Sequence, residues 1–402
     1  MKQAHRRLLG KVGIASLMAV ALAACGSSGT TTSGNSSGRT ASAPGVTAST
    51  ITIGTDMPMT GPAAPSGLAF VPAFQAYVKY VNAHGGINGR QLILKVGNSA
   101  YDPATALSAV RQLVEQDNAF AIFDNFGTPP VQGTFSYLTQ QQVPDINMFA
   151  GSPQFVTPPS KYHFELLPTY PSEAAFFASY IKKTYPQAKV AIMYQDDDFG
   201  QPFAAGLKQD LGSRVVASVS YDPAASSVLS QVTTLAASHA DVTFCACIVP
   251  PSVQLLKDAQ SLGWHTHVIF TFGILNEQTV PLAGALLNNT LSQIYFPPPT
   301  DTADPQIAQM KHILATYAPS AAFNTNSLFG MLSIDLMVQM LKSAGVNPTR
   351  QSLLDAITSH AYKGPWYGQV RMSATNHNAF TCWRMVRMVN ETAVPFGPVS
   401  CS

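Results

Sequence analysis

Gln91-Leu92-Ile93-Leu94-Lys95-Val96, the stretch 104–116 and Ala119-Phe120-Ala121-Ile122-Phe123 read in order as strand, helix and strand. The two outer segments are short apolar runs of strand length, and the middle one places Leu107, Val110, Leu113 and Val114 on one helical face. The same alternation starts at residues 51–54 and returns at 189–194, 215–219, 241–248 and 267–271. Ser172-Glu173 and Ser252 read as the openings of two further helices. Strands and helices in regular alternation predict an α/β fold of parallel sheets with helices on both faces. The series restarts near Lys189 after Leu166-Leu167-Pro168-Thr169-Tyr170-Pro171, so two doubly wound lobes are expected. Pro297-Pro298-Pro299 marks another break, and residues 327–343 read as a mostly apolar helix interrupted by Asp335.

Ahead of this pattern, Leu22-Ala23-Ala24-Cys25 closes an apolar run that begins at Val12, behind Lys2, Arg6, Arg7 and Lys11. A basic cluster, a short apolar run and small residues before a cysteine make residues 1–24 a lipoprotein export signal. Cys25 is then the lipid attachment point. Each buried acyl methylene contributes about 0.8 kcal/mol, enough over two or three chains to hold the protein on a membrane. The expected location is therefore extracytoplasmic, anchored to the cell membrane. Residues 25–49 are mostly Gly, Ser, Thr and Ala with Arg39 as the one charge, the composition of a flexible tether.

Without the signal, 19 Lys and Arg stand against 21 Asp and Glu, and no basic block remains. Nucleic-acid binding, which needs clustered cations, is excluded as a function class. No later run offers about 18 uninterrupted apolar residues, so no further membrane span is expected. Cys382 and Cys401 bracket two strand-like runs, and a bridge between them would pin the C-terminal end. Cys245 and Cys247 fall two apart in an expected strand, where Cα atoms lie about 6.6 Å apart, at the edge of disulfide geometry. They are expected to remain thiols.

Several spaced motifs carry a resemblance. Ile51-Thr52-Ile53-Gly54 is followed by Pro58-Met59-Thr60-Gly61-Pro62 and then by residues 81–90, Val-Asn-Ala-His-Gly-Gly-Ile-Asn-Gly-Arg. Tyr101-Asp102-Pro103, Asp197-Asp198-Phe199-Gly200 and Ala259-Gln260-Ser261-Leu262-Gly263-Trp264 continue the series. Over residues 50–390 the chain resembles the leucine/isoleucine/valine-binding family of periplasmic solute-binding proteins. The resemblance implies a type I periplasmic binding fold whose two lobes close on a solute about a three-segment hinge, with the third crossing near Lys363-Gly364-Pro365. Residues 50–169 and 298–361 would form lobe 1, and residues 170–297 and 362–402 lobe 2. The partners it implies are a small-molecule solute and the permease of an ABC importer.

An open parallel sheet binds its ligand outside the carboxyl ends of its strands. After residues 119–123 comes Asp124-Asn125-Phe126-Gly127-Thr128-Pro129-Pro130, where Thr128 before proline reads as a helix N-cap whose free N–H groups favour a carboxylate. In the resembling family a hydroxyl at this point holds the ligand carboxylate, and Thr128 matches it, flanked by Asn125 and Gly127. The next loop is Met148-Phe149-Ala150-Gly151-Ser152-Pro153. The family supplies backbone groups and a hydroxyl here; Gly151 stands near the hydroxyl's place and Ser152 is its neighbour. Phe199 matches an aromatic cover on the second lobe. Phe272 falls where the family's amino-acid binders carry a carboxylate for the ligand ammonium, and Ile248 or Val249 replaces a tyrosine. A buried ammonium without a counter-charge costs several kcal/mol. An apolar or aromatic carboxylate walled by Phe126, Phe149, Phe199 and Phe272 is therefore expected in preference to a branched-chain amino acid, with Glu277, Asp56, Asp124 and Asp145 as the alternative ammonium partners.

Cys245 and Cys247 with His265 and His267 raise a zinc site, but parallel neighbouring strands put the pairs about 13 Å apart at 3.3 Å per residue. Asp196-Asp197-Asp198 lacks the glycine and distal glutamate of a calcium loop and reads as a solvated loop at the cleft rim. No nucleophile elbow, zinc-protease pair or phosphate loop occurs in the mature chain. The expected function is a monomeric importer receptor without cofactor, metal or catalysis. A sensor lipoprotein that presents its solute to a membrane receptor is the alternative, and a hydrolase a more distant one.

Overall fold

The computed structural model describes residues 38–276 and 279–401. The signal, Cys25, the first part of the tether and Glu277 lie outside the described residues. Residues 38–49 belong to the fold and not to the tether that their composition suggests. Val46 is buried and bridges Ala43 and Ile51. The wholly buried Arg90 donates from Nε to the Thr47 carbonyl at 2.6 Å, from Nη2 to the Thr40 carbonyl at 2.9 Å, and from Nη1 to the Val346 carbonyl. One guanidinium thus satisfies three carbonyls that a loop would otherwise turn to water.

Five strands, β1 (Thr50–Met57), β2 (Gln91–Asn98), β3 (Ile122–Phe123), β4 (Asp145–Met148) and β5 (His163–Glu165), form an all-parallel sheet in the order β2-β1-β3-β4-β5. A second sheet takes β6 (Val190–Gln195), β7 (Val215–Tyr221), β8 (Val242–Ala246), β9 (His267–Phe270), β10 (Leu291–Ile294), β11 (Cys382–Val389) and β12 (Thr392–Cys401), in the order β12-β11-β10-β9-β8-β6-β7. Its last two strands are antiparallel additions at one edge. This is the doubly wound α/β architecture expected.

Two elements carried no clear signal because buried strands here hold charged or polar residues: His163 and Glu165 in β5, and Gln293 in β10, all buried. The helix expected over 104–116 is an α-helix, Pro103–Arg111, that widens into a single π turn, Gln112–Gln116. Two helices begin earlier than their serines suggest. Tyr170–Thr184 follows Thr169, and Val249–Ser261 follows Ile248, because Pro171 and Pro250 occupy the first turn, where a missing N–H costs nothing. Ser172 and Ser252 instead donate back to the carbonyls of Thr169 and Ile248.

Asp335 interrupts the apolar helix Thr325–Ser343 without exposing it. Tyr77 of helix Ala64–Ala83 donates to its carboxylate, and Gln339 donates at 2.8 Å. The Phe70 and Phe329 rings, 5.7 Å apart, help join these two helices over the first sheet. Because β8 stops at Ala246, Cys247 lies beyond the strand, and the Cα atoms of Cys245 and Cys247 are 5.3 Å apart and not at full strand spacing. The two residues form a disulfide, contrary to the expected thiols. Cys382 and Cys401 are also joined, across paired positions of β11 and β12.

The chain passes between the sheets three times, and the crossings lie side by side. Glu165 pairs with the segment around Asn378, with Glu165 N–H on the His377 carbonyl and Ala379 N–H on the Glu165 carbonyl, both 2.9 Å. Tyr295, just past β10, stacks on Phe380 at 5.3 Å and accepts the Tyr367 N–H at 2.7 Å.

Candidate functional site

The carboxyl ends of both sheets open on one cavity beside these crossings, the place where doubly wound sheets take ligands. From the first sheet it receives Phe126, Gly127 and Thr128 after β3, Phe149 after β4, Tyr101 after β2, and Ser66 and Phe70 from the first helix. From the second come Phe199 after β6, Cys247, Ile248 and Val249 after β8, the run from Thr271 to Ile274 after β9, and Tyr295 after β10. Tyr170 and Glu173 enter from the first turn of their helix.

The first-sheet wall is aromatic by construction. Phe126 and Phe149 pair as neighbouring strand extensions and their rings stack at 4.6 Å, with Phe70 edge-on to both at 5.7 and 5.6 Å. Phe149 faces Phe272 of the second sheet at 6.1 Å. Gly127 has φ 93°, and a Cβ there would come within 2.4 Å of the Tyr101 ring, so only glycine lets that ring close against the helix start.

Thr128 does not cap its helix. Gly127 holds the N-cap place, Thr128 is the first helical residue, and its hydroxyl shares a 2.8 Å hydrogen bond with the Tyr170 hydroxyl. Pro129 and Pro130 follow directly and carry no N–H. The helix N-terminus expected to bind an anion with several free N–H groups therefore offers only that of Thr128.

Of the sequence-predicted residues, Gly127, Thr128, Phe149, Phe199, Ile248 and Phe272 come together on the cavity. Asn125, Ala150, Gly151 and Ser152 do not. Asn125 turns into the first lobe's interior, donating to Thr134 at 2.9 Å and Asp145 at 3.1 Å. Ala150 packs with Val131, Met148 and Phe155. Gly151 lies under Tyr170, whose ring a Cβ would meet at 2.7 Å, and its carbonyl accepts the Tyr170 N–H. Ser152 is buried at the start of a 3-10 turn. Asp56, Asp124 and Asp145 are wholly buried away from the cavity, so none is placed to meet a ligand ammonium. Burial pushes the Asp56 and Asp124 carboxyls well above the usual carboxylate range, and the nearby Asp145 pushes them further.

Asp197 is more than a solvated loop residue. Its carboxylate accepts the Phe199 N–H at 2.9 Å and the Gln195 amide at 2.6 Å, fixing the loop that presents Phe199. Gln154 donates to Asp198 at 2.7 Å and Gln195 to the Tyr101 hydroxyl at 3.3 Å, so two hydrogen bonds join the end of β6 and its loop to residues that follow strands of the first sheet.

Glu173 is the residue that sequence reasoning missed. It lines the cavity at 2% exposure, and its Oε1 accepts the Gln293 amide at 3.0 Å and the Tyr295 hydroxyl. Burial pushes its carboxyl up to about 7, against the opposing pull of those two hydrogen bonds. Its position as fourth residue of a helix, two after a proline, reads as ordinary N-terminal acid placement, and its partners lie about 120 residues away, at 293 and 295. Among the described residues no group of three or more His, Cys, Asp or Glu side chains converges as a metal site.

The chain matches the periplasmic binding protein family over residues 50–393 and belongs to it, as a solute-binding protein of the leucine/isoleucine/valine-binding type. The Leu/Ile/Val-binding protein homolog 1 of Brucella suis biovar 1 (strain 1330) is 21% identical over 306 residues, 75% of this chain and 80% of that protein. Two solved structures share the fold. A fatty acid ABC transporter substrate-binding protein from Thermomonospora curvata superposes with a TM-score of 0.80 at 22% identity, covering 90% of this chain and 94% of its own. A branched chain amino acid ABC transporter from Thermus thermophilus with bound valine gives 0.79 at 18% identity, covering 88% and 97%. Family membership implies an extracytoplasmic location. Among the described residues no helix is long and apolar enough to cross a membrane.

Proposed function

We propose that the chain is the receptor of an ABC importer, lipid-anchored through Cys25, monomeric, and not an enzyme. It captures a small organic solute with an apolar body and delivers it to a membrane permease. The observation that carries this reading is the cavity itself, walled by aromatic rings from both sheets and set beside three adjacent crossings. Residues 50–169 with 298–361, and 170–297 with 362–402, act as the lobes. They open and close about the crossings, and the Gln154–Asp198 and Tyr101–Gln195 hydrogen bonds belong to the closed form. Two disulfides suit an oxidising, extracytoplasmic compartment.

The relatives' descriptions supply two solute classes, fatty acids and branched-chain amino acids, which share an apolar body. The hydroxyls of Thr128 and Tyr170, paired with each other at 2.8 Å, are polar groups of the lining beside that apolar body. Thermal unfolding of residues 26–402 with branched-chain amino acids, short fatty acids, aromatic carboxylates, amines and amides tests the reading, because an occupied receptor melts later. At least one class is expected to raise the midpoint by several degrees without being converted. A flat response across the panel, or turnover of a bound compound, contradicts it.

A further inference from the structure

The lining of the cavity has a one-sided charge. Among the described residues that form it there is no Lys, Arg or His, and Glu173 is its one carboxyl. Both hydrogen bonds that Glu173 accepts fall on Oε1, which leaves Oε2 to a ligand. The ionisable groups in electrostatic contact with it are Glu165 of β5 and Tyr295 of the crossing, both acids. An anionic solute would bring a second negative group to this carboxyl with no counter-charge, and the two prolines after Thr128 have removed the N–H groups that would compensate. A cation meets the opposite situation. It gains Glu173 as counter-charge in a lining rich in aromatic rings, Phe199, Phe272, Tyr101 and Tyr170 among them, whose π-systems attract positive charge.

Resting on the receptor reading above, we propose that the solute is an organic cation, an apolar amine in its ammonium form, with Glu173 as the residue that sets this specificity. Binding makes Glu173 give up its proton to solvent. Because the free carboxyl titrates near 7, amine affinity falls by about tenfold for each pH unit below that point and levels off above it.

Calorimetric titration with two matched series tests this: 3-methylbutylamine, 3-methylbutanol and 3-methylbutanoate, and benzylamine, benzyl alcohol and benzoate. In each series the amine is expected to bind at least tenfold more tightly than the alcohol and the carboxylate at pH 8. At pH 6, titrations in buffers of different ionisation enthalpy are expected to report close to one proton released per amine bound. Glu173→Gln keeps the side-chain size and an acceptor for Tyr295; it is expected to lose at least tenfold in amine affinity, to lose the preference for the amine over the alcohol and to abolish the pH dependence. The proton count is read on the unmodified protein, so the test stands even where the variant folds poorly. A carboxylate or alcohol that binds as tightly as its amine overturns the cation assignment and leaves the receptor reading intact. If no member of either series binds, the cation assignment falls, and the receptor reading is decided by the wider thermal-unfolding panel.

Discussion

Burial decides the chemistry of the individual acids in this protein. Asp56, Asp124 and Glu165 are each at least nine-tenths buried and none has a cationic partner, so desolvation raises all three carboxyls well above the usual range. Their folded-state pKa values lie above the unfolded ones, so the folded chain holds protons that the unfolded chain releases. The stabilisation is fully present below about pH 4 and is lost as pH rises towards the folded values. Urea unfolding is expected to give a higher midpoint at pH 5 than at pH 8, and Asp124→Asn to flatten the difference. Equal midpoints at the two pH values in the unmodified protein contradict this. The same burial explains which site residues were legible. Thr128, Phe149 and Phe199 lie in the loops that follow the apolar runs 119–123, 143–146 and 189–194, and strand ends are where ligands bind. Glu173 and Asn125 depend on which way a side chain turns in three dimensions. Asn125 was read as a site residue from its place in the loop, yet it faces Thr134 and Asp145.

Among the elements, prolines and cysteines set boundaries that hydrophobic pattern alone misplaces. Pro171 and Pro250 start their helices before the serines that resemble caps, and the end of β8 at Ala246 brings Cys245 and Cys247 within bonding reach. Strands β5 and β10 escaped clear recognition because their buried faces carry His163, Glu165 and Gln293, which periodicity scores as surface. Strands β6, β8 and β9 were legible because apolar residues dominate them, and β1 because Ile51 and Ile53 alternate with polar residues. The β11–β12 pair is a two-stranded addition at a sheet edge, held at its open end by Cys382–Cys401 with a sequence separation of 19. Closing a loop of that length restricts the unfolded chain by about 3 kcal/mol. The double variant Cys382→Ala/Cys401→Ala is expected to unfold with a stability lower by about that amount. An unchanged midpoint assigns the bridge no such role.

At the scale of the molecule, two sheets share one mouth because the chain crosses between them three times at neighbouring points. The crossings are tied to each other by backbone hydrogen bonds around Glu165 and Asn378 and by the Tyr295–Phe380 stack, a compact joint about which two lobes can turn. The repeated alternation and the proline break before Lys189 made the two sheets legible. The carboxyl in the cavity was not, because Glu173 is held there by Gln293 and Tyr295, which only the folded chain brings together. The most direct test of the central claim, that solute is held in this cavity, is calorimetric titration of the Ser66→Trp variant with a compound found to bind the unmodified protein. Ser66 lies half-buried in the first turn of its helix at the edge of the cavity, where a large side chain is compatible with the helix. The account predicts one-to-one binding by the unmodified protein, and none by a variant with an unchanged melting temperature. Equal affinity in the two proteins places the solute elsewhere and contradicts the account.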